Sequence, residues 1–289
     1  MAPLPVLSGL AEIADRYDGY IIDLWGVVHD GVRAFPGVLD CLGQMRAAGK
    51  TTCMLSNAPR RVEAVREKLR SVGVPDDAYD HVMTSGEATH DALRDRPDAA
   101  HAALGDRFLH IGPPRDDDIT HGLPLEEVTD PADATFALCT GIDDFSEPLE
   151  LYTPLLDRCL AAGLPMICAN PDMVVMVGDL RAICAGSMAA YYAERGGSVI
   201  YHGKPHAGVY ARCRHLLGDP PSSRILALGD SLGTDLAGAK AAGIDALLIC
   251  SGIHADELMT DGRPDPARSA ALLEAQGLAA VGLMAEMVW

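Results

Sequence analysis

The sequence is poor in basic residues: 23 lysines and arginines stand against 41 aspartates and glutamates, a net charge of −18 over 289 residues. That balance argues against nucleic acid or an anionic membrane as a partner, since both would repel the chain as a whole. An anionic small molecule would need a locally positive site. The chain also lacks any apolar run near the ~20 residues of a membrane span, and its opening stretch "MAPLPVLSGLAEIADRYDGY" has no basic segment followed by an apolar one. A cytoplasmic protein without membrane contact is the expectation. There is no C-x-x-C pair: the eight cysteines (Cys41, Cys53, Cys139, Cys159, Cys168, Cys184, Cys213 and Cys250) are scattered, several in apolar runs such as "PMICAN" and "ALLIC". Buried, reduced thiols are expected, rather than disulfides or a zinc site. Repeats and low-complexity tracts are absent as well, and 48% hydrophobic with 22% charged residues is the composition of a folded globular chain.

What is present is alternation. The runs "YIIDLW", "TTCMLS", "RFLHIG", "TFALCT", "LPMICA", "SVIYHG", "RILALG" and "DALLIC" read as buried strands separated by helical stretches. Such spacing predicts parallel sheet and an α/β fold. Between the second and third runs, "RRVEAVREKLRSVG" sets Val62, Val65, Leu69 and Val72 on one helical stripe and stops at Gly73. The middle of the chain is loop-rich, in "RDRPDAAHAALGD" and "GPPRDDDITHGLPLEEVTDPADA", which suggests an inserted second domain. Within it, the triplet Asp116 to Asp118 reads as a solvated loop rather than a metal site.

Short pieces at the ends of these runs carry the candidate chemistry, because ligands of open α/β sheets bind at the carboxyl ends of strands. In "YIIDLWGVVHDG", residues 20–31, an apolar strand ends in Asp23 and breaks at Gly26. An aspartate that only caps the turn would look the same. In "MLSNAPRR", Ser56 and Asn57 stand before a helix and suit either capping or contact with phosphate oxygens. In "YHGKPHAGVY", Lys204 lies between Gly203 and Pro205, where a directed ammonium could neutralise a phosphate or steady a carboxylate, although a lone lysine is usually a solvated one. In "LALGDSLGTDLAGAKAAG", Asp230 follows a strand and Asp235 comes five residues later near the start of a helix. Together with Asp23 they could supply oxygens to Mg²⁺, or Asp235 could merely complement the helix dipole.

Taken in order, D-x-x-G-V, S-N, G-K-P and G-D-x-x-x-x-D resemble the four signature motifs of the haloacid dehalogenase (HAD) superfamily. The strings "MLSNAPR", "TSGEAT", "CANPDM", "GKPHAGVY" and "GDSLGTDLAGAKAAGIDALLICSGI" are similar to its type IIA branch, which includes nitrophenyl, pyridoxal and sugar or nucleotide phosphatases. The likeness runs from about Tyr20 to about His254. It implies a three-layer, Rossmann-like core with a parallel sheet, formed by residues 1–86 and 182–289, and an inserted α/β cap domain at 87–181. It also implies roles: Asp23 as the nucleophile that forms an aspartyl phosphate, Ser56 as donor to the phosphoryl oxygens with Asn57 beside it, and Lys204 as the balancing charge. Mg²⁺ would be held by Asp23, Asp230, Asp235 and the backbone carbonyl of Trp25. The partner implied is a small phosphorylated substrate, with Asp172 of "CANPDM" as a substrate contact or else a turn residue, and a homodimer is compatible with the likeness.

Trp25 is a departure. In phosphatases of this superfamily the residue two after the nucleophile is a second aspartate, which protonates the departing alcohol and then deprotonates the attacking water. An indole N–H cannot exchange a proton at neutral pH. His29 is the nearest substitute, with Asp30 and His206 as weaker options. Dehalogenases of the superfamily carry an aromatic at this place but work without metal, whereas this chain keeps the full G-D-x-x-x-x-D motif. The expectation is therefore a slow or atypical Mg²⁺-dependent phosphatase, with a phosphometabolite-binding protein of little turnover as the alternative.

Overall fold

The computed structural model describes residues 4–177 and 180–289. It divides into two compact units, the first made of the chain up to Ser56, Arg66–Met83 and Lys204–Trp289, the second of Asn57–Val65 and Thr84–Gly203. Among the described residues no helix is long and apolar enough to cross a membrane. All eight cysteines are free and buried, as their apolar settings predict.

The first unit is built on a six-stranded sheet in the order Gly282–Met284, Asp245–Ile249, Ile225–Gly229, Gly19–Asp23, Thr51–Ser56, His81–Thr84. Gly19–Asp23 lies in its middle and is paired in parallel on both sides, to Ile225–Gly229 and to Thr51–Ser56. A strand with neighbours on both edges and helices on both faces has no solvated side, which is why "YII" is a continuous apolar run rather than an alternating one. Tyr20 and Ile22 are accordingly 0% exposed. The run can turn polar only at its carboxyl end. There Asp23 stands opposite Leu55 and one residue past the Ile22–Leu228 pair.

The second unit has its own parallel sheet, ordered Val199–Tyr201, Met166–Cys168, Phe136–Cys139, Arg107–Ile111, Glu126–Glu127. Alternate strand residues feed two cores. Leu109, Ala137, Cys139, Met166 and Cys168 join Leu156, Met188 and Tyr192 from the helices Thr153–Ala161 and Ala185–Glu194. Phe108, Phe136, Leu138 and Ile167 pack instead with Leu93, Leu104 and Ile119. An antiparallel pair, Val174–Val177 with Leu180–Ile183, completes the unit.

All eight apolar runs form strands, and "VEAVREKLRS" forms the helix Val62–Ser71 with Val65 and Leu69 buried. Two expectations need correction. The expected return to the core at residue 182 falls after Gly203, because Val199–Tyr201 pairs with Met166–Cys168 and so belongs to the second sheet. The acidic triplet is not a solvated loop: Asp116 is 4% exposed, and Asp118 accepts the backbone N–H of Arg61 at 3.1 Å.

Candidate active site

Within the first unit, one oxygen from each of Asp23, Asp230 and Asp235 lies within 4.8 Å of the others, and all three residues are buried. Asp23 ends the central strand and Asp230 follows its neighbour Ile225–Gly229. Asp235 is delivered by a π-type turn, Leu232–Leu236, in which the Leu236 N–H reaches back to the Ser231 carbonyl. That wider turn sits where a functional side chain must be aimed, as π-bulges often do. Lys204 donates from Nζ to Asp23 Oδ1 and to Asp235 Oδ1, the latter at 2.7 Å. Backbone donors hold the rest: the Ile253 N–H on Asp230 Oδ2 at 2.8 Å and the Ser231 N–H on Asp235 Oδ2 at 3.2 Å. Gly26 explains the glycine of D-x-x-G, since its φ is 85° and a Cβ there would overlap the Asp230 carboxylate.

Three carboxylates and one ammonium leave an excess of buried negative charge. Burial first, and then Asp235, pushes the Asp23 carboxyl well above its ordinary range against the pull of Lys204. Burial and Asp235 raise Asp230 to about 6. Removing like charges from water this way is costly unless a cation joins them. Clustered carboxylate oxygens with a buried excess of negative charge are the donor set of a hard divalent cation such as Mg²⁺, which would reverse both shifts. The residues fit that ion.

Of the site residues expected from sequence, Asp23, Lys204, Asp230 and Asp235 are brought together. Ser56 ends the strand beside Asp23, one residue past the Asp23–Leu55 pair. Asn57 and Asp172 meet in the second unit, the Asn57 Nδ2 donating to Asp172 Oδ1 at 2.8 Å. The candidate acid/base groups have structural work instead. His29 is 3% exposed and its Nδ1 accepts the Gly31 N–H at 3.0 Å. Burial, helped by Lys68, lowers its pKa to about 4, so at neutral pH the ring is the neutral imidazole and not the imidazolium a general acid would need. The Asp30 carboxylate accepts the N–H groups of Val32 and Arg33, each at 2.8 Å, as a turn cap. His206 stands at the first position before the helix Ala207–Leu216 without a side-chain hydrogen bond to it, and burial lowers its pKa. Trp25 itself is 39% exposed. Sequence reasoning missed Ile253 and Tyr210, whose hydroxyl donates to the Asp235 carbonyl at 3.1 Å. Both lie in quoted motif strings; the Ile253 donor is backbone and leaves no side-chain signal, and the Tyr210 hydroxyl reaches a carbonyl 25 residues away.

The chain is similar to proteins of one known family. Residues 20–123 match a family model described as haloacid dehalogenase-like hydrolase, and residues 201–274 match a second, HAD-hydrolase-like model. A crystal structure of a haloacid dehalogenase-like hydrolase from Brucella suis 1330 is similar at 34% identity and a TM-score of 0.83, covering 98% of this chain and 100% of that one. Among curated proteins, a 5'-nucleotidase of Bacillus subtilis is 23% identical over 86% of this chain and 93% of its own length. A glycerol-3-phosphate phosphatase of Gallus gallus is 27% identical over 82% and 80%.

Proposed function

The chain belongs to the haloacid dehalogenase-like hydrolase family, and on that premise we propose that it is a Mg²⁺-dependent phosphatase of a small phosphorylated metabolite, working through an aspartyl phosphate on Asp23. The observation that carries this reading is the buried cluster of Asp23, Asp230 and Asp235 tied together by Lys204. Asp23, Asp230, Asp235 and the main-chain carbonyl of Trp25 would hold the ion, which when bound offsets phosphoryl charge. Asp23 attacks phosphorus, the ester P–O bond breaks, and the carboxyl is held in line by Lys204. Lys204 and Ser56 face the charge of the transferring group. Asn57 and Asp172 are proposed substrate contacts. Water then cleaves the aspartyl phosphate, leaving the Asp23 carboxylate and dihydrogen phosphate.

Trp25 favours a second reading, a phosphometabolite-binding protein with little turnover. One assay separates them. Purified protein with Mg²⁺ should release p-nitrophenol from p-nitrophenyl phosphate, and chelator or Asp23→Asn should abolish the release. Absence of such release, with phosphate esters still bound, favours the binding protein.

A further inference from the structure

Trp25 is held in the open by a purpose-shaped loop. Its ring stands edge-on to His29, centroids 5.5 Å apart and planes at 77°. Its six-membered ring rests on Gly31, where φ is 87° and any Cβ would overlap ring carbons. The pedestal is itself tied down: Gly31 donates to His29 Nδ1, Lys68 Nζ donates to the Gly31 carbonyl at 2.7 Å, the Gly26 N–H reaches the His29 carbonyl at 3.0 Å, and the Phe35 N–H reaches the Val28 carbonyl at 2.9 Å. A ring this well fixed yet 39% exposed forgoes apolar burial that a core residue would gain. It stands two residues from the nucleophile.

In the same loop neither carboxyl nor imidazole is free to act as an acid on a leaving group. The Asp30 carboxylate caps its own turn, and His29 is buried with Nδ1 engaged. Asp23 and Asp235 are bound to Lys204. An alkoxide cannot leave readily without a proton, whereas a phenolate can.

Both features point one way. Building on the phosphatase reading above, we infer that Trp25 makes the site selective for phosphate monoesters of acidic hydroxyls carried on a flat ring, with the indole as the surface on which that ring stacks. In the first step the bond from Asp23 Oδ to phosphorus forms, the P–O(aryl) bond breaks, and its electron pair leaves with the phenolate, which takes no proton from the protein. Glycerol phosphate and similar alkyl esters lack both the acidity and the ring.

The test compares three substrates on the Mg²⁺-loaded protein: p-nitrophenyl phosphate, trifluoroethyl phosphate, acidic but ringless, and glycerol phosphate. The expected order of kcat/KM is that order. Trp25→Leu should raise KM for the aryl ester about 2- to 10-fold, the range one aromatic contact supplies, with kcat changed less and Trp25→Phe restoring KM. A readout without turnover uses Asp23→Asn: p-nitrophenyl phosphate should quench tryptophan fluorescence, and the quench should vanish when Trp25→Phe is added. Equal turnover of glycerol phosphate and aryl ester, or an unchanged aryl KM in a folded Trp25→Leu variant, overturns the inference while leaving a phosphatase. No chelator-sensitive release from any ester overturns the phosphatase reading itself, and the quench then decides whether Trp25 meets the ring.

Discussion

Asp116 lies with its Oδ1 3.8 Å from Nε of Arg60, and the carboxylate is almost wholly buried. Burial raises its pKa to about 7, against the smaller opposing pull of Arg115 and Arg60. An acid with a raised folded pKa binds more protons folded than unfolded, so stability falls as pH rises from about 4 to about 7. Asp116→Asn keeps the neutral shape and removes that slope. Between pH 5 and pH 8 the variant should gain on wild type, by on the order of 3 kcal/mol at most. Denaturant melts at the two pH values decide it. If the variant is the less stable of the pair at pH 8, the Arg60 ion pair outweighs the cost of burying the charge.

The carboxylate cluster makes a second prediction. Without a cation, Asp230 is held near Asp235 and Asp23 at a cost, and its pKa of about 6 reflects burial and that repulsion. Asp230→Asn should therefore raise metal-free stability or leave it level, while removing the gain that Mg²⁺ gives wild type. A ligand at a hundred times its dissociation constant adds about 2.7 kcal/mol to a protein that binds it only when folded. Melts with Mg²⁺ and with chelator, on both proteins, measure the difference. An equal Mg²⁺ shift in the variant would place the ion elsewhere.

Much of this was legible because the fold and the cluster announce themselves locally. A central parallel strand is buried on both faces, so its apolar run and the carboxylate at its exit are both visible in "YIIDLW". The chain's return from the second unit was not legible. Val199–Tyr201 is a strand in either sheet until its pairing with Met166–Cys168 is seen. His81–Thr84, four residues long, and Gly282–Met284, three, are too short to show a period. Asp116 was misread for the same reason: a run of aspartates looks solvated until Arg60, distant in sequence, is found beside it. His29 has a histidine's ordinary chemistry in sequence, and only its burial and the nearby Lys68 keep the ring neutral.

Trp25 can perform neither of the two proton transfers of phosphate ester hydrolysis. An aryl leaving group removes the need for the first, but water attacking the aspartyl phosphate still lacks a base. Wild type should therefore accumulate the phosphorylated Asp23 and release p-nitrophenol in a burst approaching one equivalent per site, followed by slow turnover. Trp25→Asp restores a carboxylate two residues from the nucleophile. It should abolish the burst and raise turnover of alkyl phosphates more than of p-nitrophenyl phosphate, by up to ~10²-fold, the lower end of what positioned acid/base catalysis supplies. Two effects oppose the gain. The new carboxylate joins a cluster already short of positive charge, which raises repulsion around Asp23. Loss of the indole also empties the space over Gly31, although a ring 39% exposed leaves less of a cavity than the 3–5 kcal/mol typical of a buried tryptophan. A thermal melt comes first, then quenched-flow on both proteins. A folded Trp25→Asp variant that binds Mg²⁺ yet is slower on both ester types, beside a wild type without a burst, would mean the native site already carries its acid/base.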